Sequence, residues 1–154
     1  QMCIRDRDET AAAILSLMEN QKLVAEGAGA VPVAAALFHK LPIEGKKVVC
    51  LVSGGNIDVN ILNRVITRGL VMSGRKANLT IALEDKPGQL ERVAAIVSRC
   101  GSNVVSVLHD GSDPNMPISS CFLKLTLETR DNAQIEQIRT ELTKAGFQLV
   151  TERV

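Results

Sequence analysis

The sequence predicts two successive parts of different architecture, an α/β segment over residues 8–73 and an α+β unit over residues 77–154. In the first part, a continuous apolar run at 47–52 lies between helical patterns, as in a parallel-sheet strand covered on both faces. In the second part, alternating apolar and polar runs enclose two amphipathic helices in the order β-α-β-β-α-β, the ferredoxin-like arrangement. The polar, glycine-containing stretch 74–76 is predicted to link the two parts.

The helical patterns of the first part begin at Asp8, and either Asp8 or Thr10 is a suitable N-cap. Residues 1–7 do not lead smoothly into this pattern, so we expect a non-native remnant there and exclude it from the fold. A second, alanine-rich helix is predicted over 27–40, with Pro32 in its first turn, where a missing N–H does no harm.

A third helix is predicted to follow a sharp glycine turn. The turn 53–56 ends the apolar run, and Asp58 is placed to cap a helix that continues to about Met72. One strand is too little sheet for a domain. Residues 8–73 are therefore predicted to be the end of a larger domain.

The second part contains every element of a complete small sheet unit. Asp131 is predicted to cap its second helix, and Gly146 to stop that helix. A turn-rich loop at 110–117 is consistent with a long hairpin connection. Strands are predicted at 77–83, 103–109, 121–128 and 147–153, and helices at 87–100 and 133–145.

The composition argues against nucleic-acid and membrane partners. Aromatic residues make up 2% of the chain and the net charge is +1, so the chain has few aromatic rings on which bases could stack and no basic cluster for phosphates. No apolar run reaches the roughly 20 residues that span a bilayer. Together with the absence of a signal-peptide pattern, this favours a cytoplasmic protein.

Neither a disulfide framework nor a metal site is predicted. The cysteines are scattered, without a CxxC pair, so we expect free thiols in a reducing compartment. The histidines have no Cys, His or Asp partner at ligand spacing, and we expect surface or packed residues. These residues are Cys3, Cys50, Cys100, Cys121, His39 and His109.

The second part resembles the ACT domain, the amino-acid-sensing module of many metabolic enzymes. The resemblance rests on 85–90 (DKPGQL) after a strand and on 101–103 (GSN) before the next one. It implies an effector site in which Pro87 pre-forms the first helical turn and the helix amides receive a carboxylate. Asp85 either binds the effector amine or caps the helix. The implied effector residues are Asp85, Pro87, Gly88, Gln89, Leu90 and Asn103.

The first part resembles the end of the catalytic domain of threonine ammonia-lyases, which are fold-type-II pyridoxal-phosphate (PLP) enzymes. The segments 25–30 (AEGAGA) and 53–56 (SGGN), followed by the helix at 57–75, carry this resemblance. It implies that Ser53 hydrogen-bonds the pyridine nitrogen of PLP. A hydroxyl is too weak an acid to protonate that nitrogen, so the ring stays neutral and favours early loss of the β-hydroxyl.

The same resemblance places four further residues near the cofactor. Gly54 and Gly55 would allow a tight turn and close approach to the ring. Glu26 is either a cofactor neighbour or a first-turn acid that favours the helix dipole. Asn56 is either a cofactor neighbour or a turn residue, and the whole 53–56 motif could be an ordinary strand-ending turn.

Taken together, the resemblances imply an α/β tail of a fold-type-II PLP domain followed by a ferredoxin-like ACT domain. The implied activity is the lyase reaction that converts L-threonine to 2-oxobutanoate and ammonia, in isoleucine biosynthesis or threonine catabolism. The effector would be isoleucine or valine, and the assembly an ACT-mediated dimer or tetramer. The Schiff-base lysine motif of the family is missing, so this chain holds no catalytic residue and is expected to be inactive alone.

Two other hypotheses remain open at the level of sequence. The chain could be a non-catalytic ACT module that binds amino acids, although a pure sensor has no reason to carry 25–30 and 53–56. It could also come from a related serine dehydratase or racemase with L-serine as substrate.

Overall fold

The structure is a computed structural model that describes residues 4–111, 117 and 119–150. The chain divides into two compact units, Gln1–Leu70 and Val71–Val154, here called the N-terminal and C-terminal units. Most of the predicted loop 110–117 and the last residues of the predicted strand 147–153 lie outside the described residues, as do residues 1–3.

The described N-terminal unit is helical and has a small core. Its buried side chains are mostly alanine, which lets the helix backbones approach closely. Gly69 does the same, because a Cβ at this position would lie 2.5 Å from Cδ2 of Leu15. The elements are α1 (Ile4–Ser16), a π-helical turn (Leu17–Gln21), α2 (Gly27–Leu37) and α3 (Val59–Met72), and the core is Ala13, Ile14, Leu17, Ala25, Ala30 and Ala34.

The start of α3 confirms the predicted cap, whereas the starts of α1 and α2 correct the predictions. Oδ1 of Asp58 accepts hydrogen bonds from the backbone N–H groups of Asn60 and Ile61, at 2.8 and 3.3 Å. Because α1 begins at Ile4, Asp8 and Thr10 lie inside the helix and cannot cap it. Pro32 is the sixth residue of α2, so it lies in the second turn and has no N–H to offer the carbonyl of Ala28.

The predicted strand at 47–52 is wrong for the described N-terminal unit, where this segment is in no strand. Val49 is 95% exposed and Leu51 is 75% exposed, so the apolar run is not buried. A strand needs neighbours to pair its N–H and C=O groups, and the regular elements described in this unit are helices. The run therefore has the composition of a covered strand without the sheet that would cover it.

The C-terminal unit confirms the ferredoxin-like prediction. Its four strands form an antiparallel sheet in the order β2-β3-β1-β4. The central pair runs in register from Lys76 opposite Glu128 to Glu84 opposite Ser120. The elements are β1 (Lys76–Glu84), α4 (Gln89–Arg99), β2 (Asn103–Asp110), β3 (Ser120–Glu128), α5 (Asn132–Lys144) and β4 (Gln148–Val150).

The core of the C-terminal unit is aliphatic and lies between the sheet and its two helices. Every second residue of β3 is buried, as the period-2 pattern predicts for a half-buried strand. These side chains pack with one apolar stripe from each helix. The main members are Cys121, Leu123, Leu125 and Leu127 of β3, Val93, Ile96 and Val97 of α4, and Ile138 and Leu142 of α5.

The helix ends of this unit agree with the predictions at α5 and differ at α4. Oδ1 of Asp131 accepts a hydrogen bond from the N–H of Gln134 at 2.8 Å, which confirms the cap. Gly146, with φ of +88°, follows the helix as its stop. By contrast, α4 begins at Gln89, after Gly88 with φ of +87°. Pro87 therefore precedes the helix and does not form its first turn.

Candidate functional site

The two glycine motifs of the N-terminal unit pack against each other. The N–H of Glu26 donates a hydrogen bond to the carbonyl of Gly54 at 3.0 Å. A Cβ at Gly54 would lie 2.5 Å from Oε1 of Glu26, and one at Gly29 would lie 2.7 Å from the Gly54 oxygen. At Gly55 a Cβ would meet the carbonyl of Val24 at 2.6 Å. The glycines thus permit this packing, and the space beside them is filled by the protein itself.

The side chains predicted to meet the cofactor are arranged around this packed turn. Glu26 and Asn56 both line an apolar cavity of about 750 Å³. Ser53 does not line this cavity, but it is an exposed residue. The segments 25–30 and 53–56 therefore form one local structure, with a hydroxyl at Ser53 and a carboxylate at Glu26. The other cavity walls come from Thr10, Ala11, Ile14, Gly27, Ala28, Val31, Ile57, Asp58, Ile61 and Val65.

In the C-terminal unit, the segment after β1 forms one wall of a cavity of about 450 Å³. Five of the six predicted effector residues line it: Asp85, Pro87, Gly88, Gln89 and Leu90. The space beside Gly88 is open, since a Cβ there would have no atom within 4 Å. The first amides of α4 thus lie next to a cavity of a size suited to a small molecule.

The sixth predicted residue, Asn103, lies elsewhere. It begins β2, whereas the cavity borders the other end of that strand at His109. Nδ2 of Asn103 donates a hydrogen bond to Oε2 of Glu128 at 3.1 Å, and Oγ of Ser102 donates to the Glu128 carbonyl at 2.6 Å. Within one chain, Asn103 thus holds the start of β2 against the end of β3.

The far wall of the same cavity contains a cluster that sequence reasoning missed. Nε2 of His109 lies 3.0 Å from Sγ of Cys121 and 3.4 Å from Oδ1 of Asp85. Burial raises the pKa of the Cys121 thiol, and the Asp85 carboxylate raises it further. His109 therefore has Cys and Asp neighbours in space that its spacing along the chain does not predict, and it is exposed, as expected. These residues are 12, 24 and 36 positions apart, and they meet because β3 pairs antiparallel with both β1 and β2.

A second residue that sequence reasoning missed, Arg92, lies beside Gln89. Its guanidinium lies 5.1 Å from the ring centroid of Phe147, and Nη1 donates to Oε1 of Gln89 at 3.4 Å. Arg92 and Gln89 also line a neighbouring cavity of about 500 Å³, with Ser120 and Gln148. A cation therefore stands next to the helix start, where a ligand carboxylate would be stabilised. The signal in the sequence that could have identified Arg92 is its position one helical turn after Gly88.

Comparison with known proteins shows which sequences the chain is similar to. The chain is 46% identical over 149 residues to the L-threonine ammonia-lyase of Thermotoga maritima, an alignment covering 97% of this chain and 37% of that protein. The chain is similar to threonine ammonia-lyases. The enzyme of the same name from Geobacter sulfurreducens is 37% identical over 96% of this chain and 37% of its own length. A biosynthetic L-threonine dehydratase from Lactococcus lactis is 38% identical over 58% of the chain and 22% of its own length.

The similarity to threonine ammonia-lyases expected from 25–30 and 53–56 is thus confirmed, and the chain spans about 37% of the length of the first two relatives. No family model matches the chain. Among solved structures, it resembles the ACT domain from the GTP pyrophosphokinase of Chlorobium tepidum, with 15% identity and a TM-score of 0.38 over 49% of this chain and 96% of that one. A formyltetrahydrofolate deformylase from Burkholderia mallei gives the same identity and TM-score over 49% of this chain and 26% of its own.

No described helix has both the length and the apolar character needed to cross a membrane. Cys50, Cys100 and Cys121 are free thiols.

Proposed function

We propose that the chain is the C-terminal part of a PLP-dependent threonine ammonia-lyase, in which the N-terminal unit completes the catalytic domain and the C-terminal unit binds an amino-acid effector. The proposal is carried by the 46% identity to the Thermotoga maritima enzyme along 97% of the chain. An identity at this level along both units favours one enzyme with both parts over a free-standing sensor. The proposed substrate is L-threonine, the proposed products are 2-oxobutanoate and ammonia, and the proposed location is the cytoplasm.

The surface of the N-terminal unit supports a role as part of a larger domain. Large apolar side chains are exposed along α2, along the segment after it and on α3, which is unusual for a surface in contact with water. The run 47–52 has a composition that parallel sheets bury on both faces. We infer that the rest of the catalytic domain covers these side chains, which include Val31, Leu37, Phe38, Leu41, Val48, Val49, Leu51, Val59 and Ile61.

The packed glycine turn is the proposed cofactor contact. PLP supplies an electron sink when bound. Ser53 is an exposed residue whose hydroxyl can donate a hydrogen bond to a ring nitrogen, and the backbone beneath it is fixed by the contact between Glu26 and Gly54. Glu26 and Asn56 are proposed as further cofactor neighbours, and they line a common cavity that Ser53 does not line. The residues present therefore fit a pyridine ring held by a neutral hydroxyl.

The start of α4 is the proposed effector site. The amides after Gly88 and the guanidinium of Arg92 are suited to an α-carboxylate, and Asp85 is suited to an α-amine. Leu83, Leu90 and Leu123 line the cavity of about 450 Å³ together with Asp85 and offer an apolar surface to a branched side chain, whereas Arg92 lines the neighbouring cavity of about 500 Å³. Isoleucine and valine combine these three features and are the proposed effectors.

The exposed edge of β2 is the proposed dimer contact. This strand is at one end of the sheet order, so one side of its backbone has no strand neighbour in the described sheet. Val105, Val107 and Leu108 of this strand are 44 to 56% exposed. Such an edge is a template for pairing with a second copy, and a second copy would also bring residues such as Asn103 toward a shared effector site.

The activity is tested by a chimera. The part of the Thermotoga maritima enzyme that precedes the matched region is joined to residues 8–154 of this chain, and 2-oxobutanoate formation from L-threonine is measured. We expect steady turnover by the chimera and none by the chain alone, which lacks the Schiff-base lysine. A folded, PLP-loaded chimera that turns over L-serine but not L-threonine would contradict the substrate, and one that forms no keto acid would contradict the proposal.

The effector site is tested separately on the chain itself. Isothermal titration calorimetry with isoleucine, valine, serine and threonine is expected to show binding of a branched-chain amino acid to a dimeric sample. No heat of binding with any of the four would contradict the sensor assignment, whatever the outcome for the chimera.

A further inference from the structure

Three metal-binding side chains from three different elements meet in the wall of the effector cavity. Asp85 follows β1, His109 lies near the end of β2, and Cys121 is the second residue of β3. One ligand atom from each, a carboxylate oxygen, an imidazole nitrogen and a sulfur, all lie within 4.8 Å of one another. The sheet register fixes two of the three backbones, since β3 pairs with both β1 and β2.

Two of the three ligand-atom separations are close to those of a tetrahedral zinc site, and the third, between Asp85 and Cys121, is no more than 4.8 Å. With bond lengths of about 2.0 to 2.3 Å, tetrahedral geometry separates mixed nitrogen, oxygen and sulfur ligands by about 3.4 to 3.6 Å. Nε2 of His109 lies 3.4 Å from Oδ1 of Asp85 and 3.0 Å from Sγ of Cys121. A small outward rotation of the histidine, whose side chain is 53% exposed, would open the shorter separation.

The charges of the cluster also suit a divalent cation. Cys121 is 1% exposed, and its sulfur lies in the same cluster as the Asp85 carboxylate. A dication would balance a thiolate and a carboxylate with two positive charges. The nearby lysines are paired with other carboxylates, Lys86 with Glu84 at 2.6 Å and Lys124 with Asp110 at 3.4 Å.

We propose that Asp85, His109 and Cys121 bind a zinc-class divalent cation, with a fourth position open to the cavity. Three protein ligands plus one exchangeable position is the arrangement of zinc sites that accept a further ligand. The fourth position faces the space lined by Pro87, Gly88 and Leu90. This inference does not depend on the proposed function, since it needs neither the catalytic domain nor an amino acid.

The experiment is a titration of the reduced 154-residue chain with Co²⁺, followed by Zn²⁺. Cobalt bound through a cysteine gives a thiolate-to-metal charge-transfer band in the near ultraviolet, which reports sulfur coordination directly. We expect this band to saturate at one Co²⁺ per chain and to disappear when Zn²⁺ displaces it. The absence of any thiolate band would overturn the proposal and would leave the proposed function untouched.

Matched variants identify the ligands. Cys121→Ser should remove the band. Cys100→Ser should keep it, because Cys100 lies outside the cluster; it is a matched control, since it is also a buried free thiol. His109→Gln and Asp85→Asn, both at exposed positions, should weaken Co²⁺ binding at least about tenfold. His39→Gln is the histidine control. If the band survived Cys121→Ser, or if folded His109→Gln bound Co²⁺ as tightly as the original chain, the proposal would be wrong.

Discussion

The backbone at Gly88 has φ of +87°, a left-handed conformation that strains any residue with a Cβ. The surrounding space is open, because a Cβ there would have no atom within 4 Å. Strain at this position therefore comes from the backbone alone and not from a steric clash. A charged substitution such as Gly88→Asp would combine this strain with electrostatic repulsion of a ligand carboxylate, and the two effects could not be separated.

Gly88→Ala should lower the free energy of unfolding of the C-terminal unit by about 1 kcal/mol, the usual cost of a left-handed non-glycine residue. Gly111→Ala is the matched control, since its surroundings are equally open and its φ lies outside the left-handed range. Urea denaturation of both variants measures the difference. Equal stability of the two variants would show that the Gly88 conformation is not strained.

Ser53 can be tested in the chimera, where the cofactor is present. Ser53→Asp should reduce 2-oxobutanoate formation at least about tenfold, a rise of about 1.4 kcal/mol in the barrier, because a carboxylate changes the protonation of the ring nitrogen. Ser53→Ala should lower PLP affinity, and Ser98→Ala on the exposed side of α4 should do neither. Original turnover and PLP content in both Ser53 variants would show that Ser53 does not contact the ring.

At the scale of elements, Gln134 joins the start of α5 to the end of α4. It is 2% exposed. Its Oε1 accepts a hydrogen bond from the N–H of Arg130 at 2.7 Å, and its Nε2 donates to the carbonyl of Cys100 at 2.8 Å. Together with the Asp131 cap, this resembles a capping box in which the third helical residue reaches back to the preceding backbone. The side chain therefore satisfies groups at two helix ends at once.

Gln134→Ala should cost about 2 kcal/mol of stability, since it removes two hydrogen bonds of about 1 kcal/mol each and leaves their partners unpaired. Gln137→Ala, at an exposed position of the same helix, should change stability by less than about 0.5 kcal/mol. The two variants are compared by thermal and urea unfolding followed by circular dichroism. A loss at Gln134→Ala no larger than that at Gln137→Ala would show that the two hydrogen bonds of Gln134 do not stabilise the unit.

Sequence patterns predicted the elements whose structural partners lie within the chain. The alternation along β3 and the Asp131 cap predicted the C-terminal unit because every partner they need, strand neighbours and helix amides, lies within the chain. The run 47–52 was misassigned because a buried strand is defined by neighbours, and the described unit supplies helices. The cluster of Asp85, His109 and Cys121 could not be predicted, since its geometry depends on strand register and not on spacing along the chain.

At the scale of the molecule, the two units differ in how much of their core they contain. Val71–Val154 holds a four-stranded sheet and two helices around an aliphatic core. The described part of Gln1–Leu70 has a small, mostly alanine core and exposed apolar side chains. The two units should therefore behave differently when separated.

Residues 71–154 should unfold cooperatively on their own, as small domains with a complete core do. Residues 4–70 should show no cooperative transition and should associate through their exposed apolar surface. Differential scanning calorimetry and analytical ultracentrifugation of the two pieces measure both properties. A sharp calorimetric transition for a monomeric 4–70 piece would contradict its assignment as part of a larger domain.

The most direct test of the proposed enzyme is the rate of 2-oxobutanoate formation by the chimera as isoleucine or valine is added. We expect the rate to change with effector concentration, and the response to be lost in Gln89→Glu. This variant adds a negative charge beside the carboxylate site, while an acid in the first turn of α4 remains favourable for the helix. Gln137→Glu is the charge-matched control and should keep the response. Turnover that no amino acid alters would contradict a sensing role for the C-terminal unit, and a folded, PLP-loaded chimera without turnover would contradict the assignment of the whole chain.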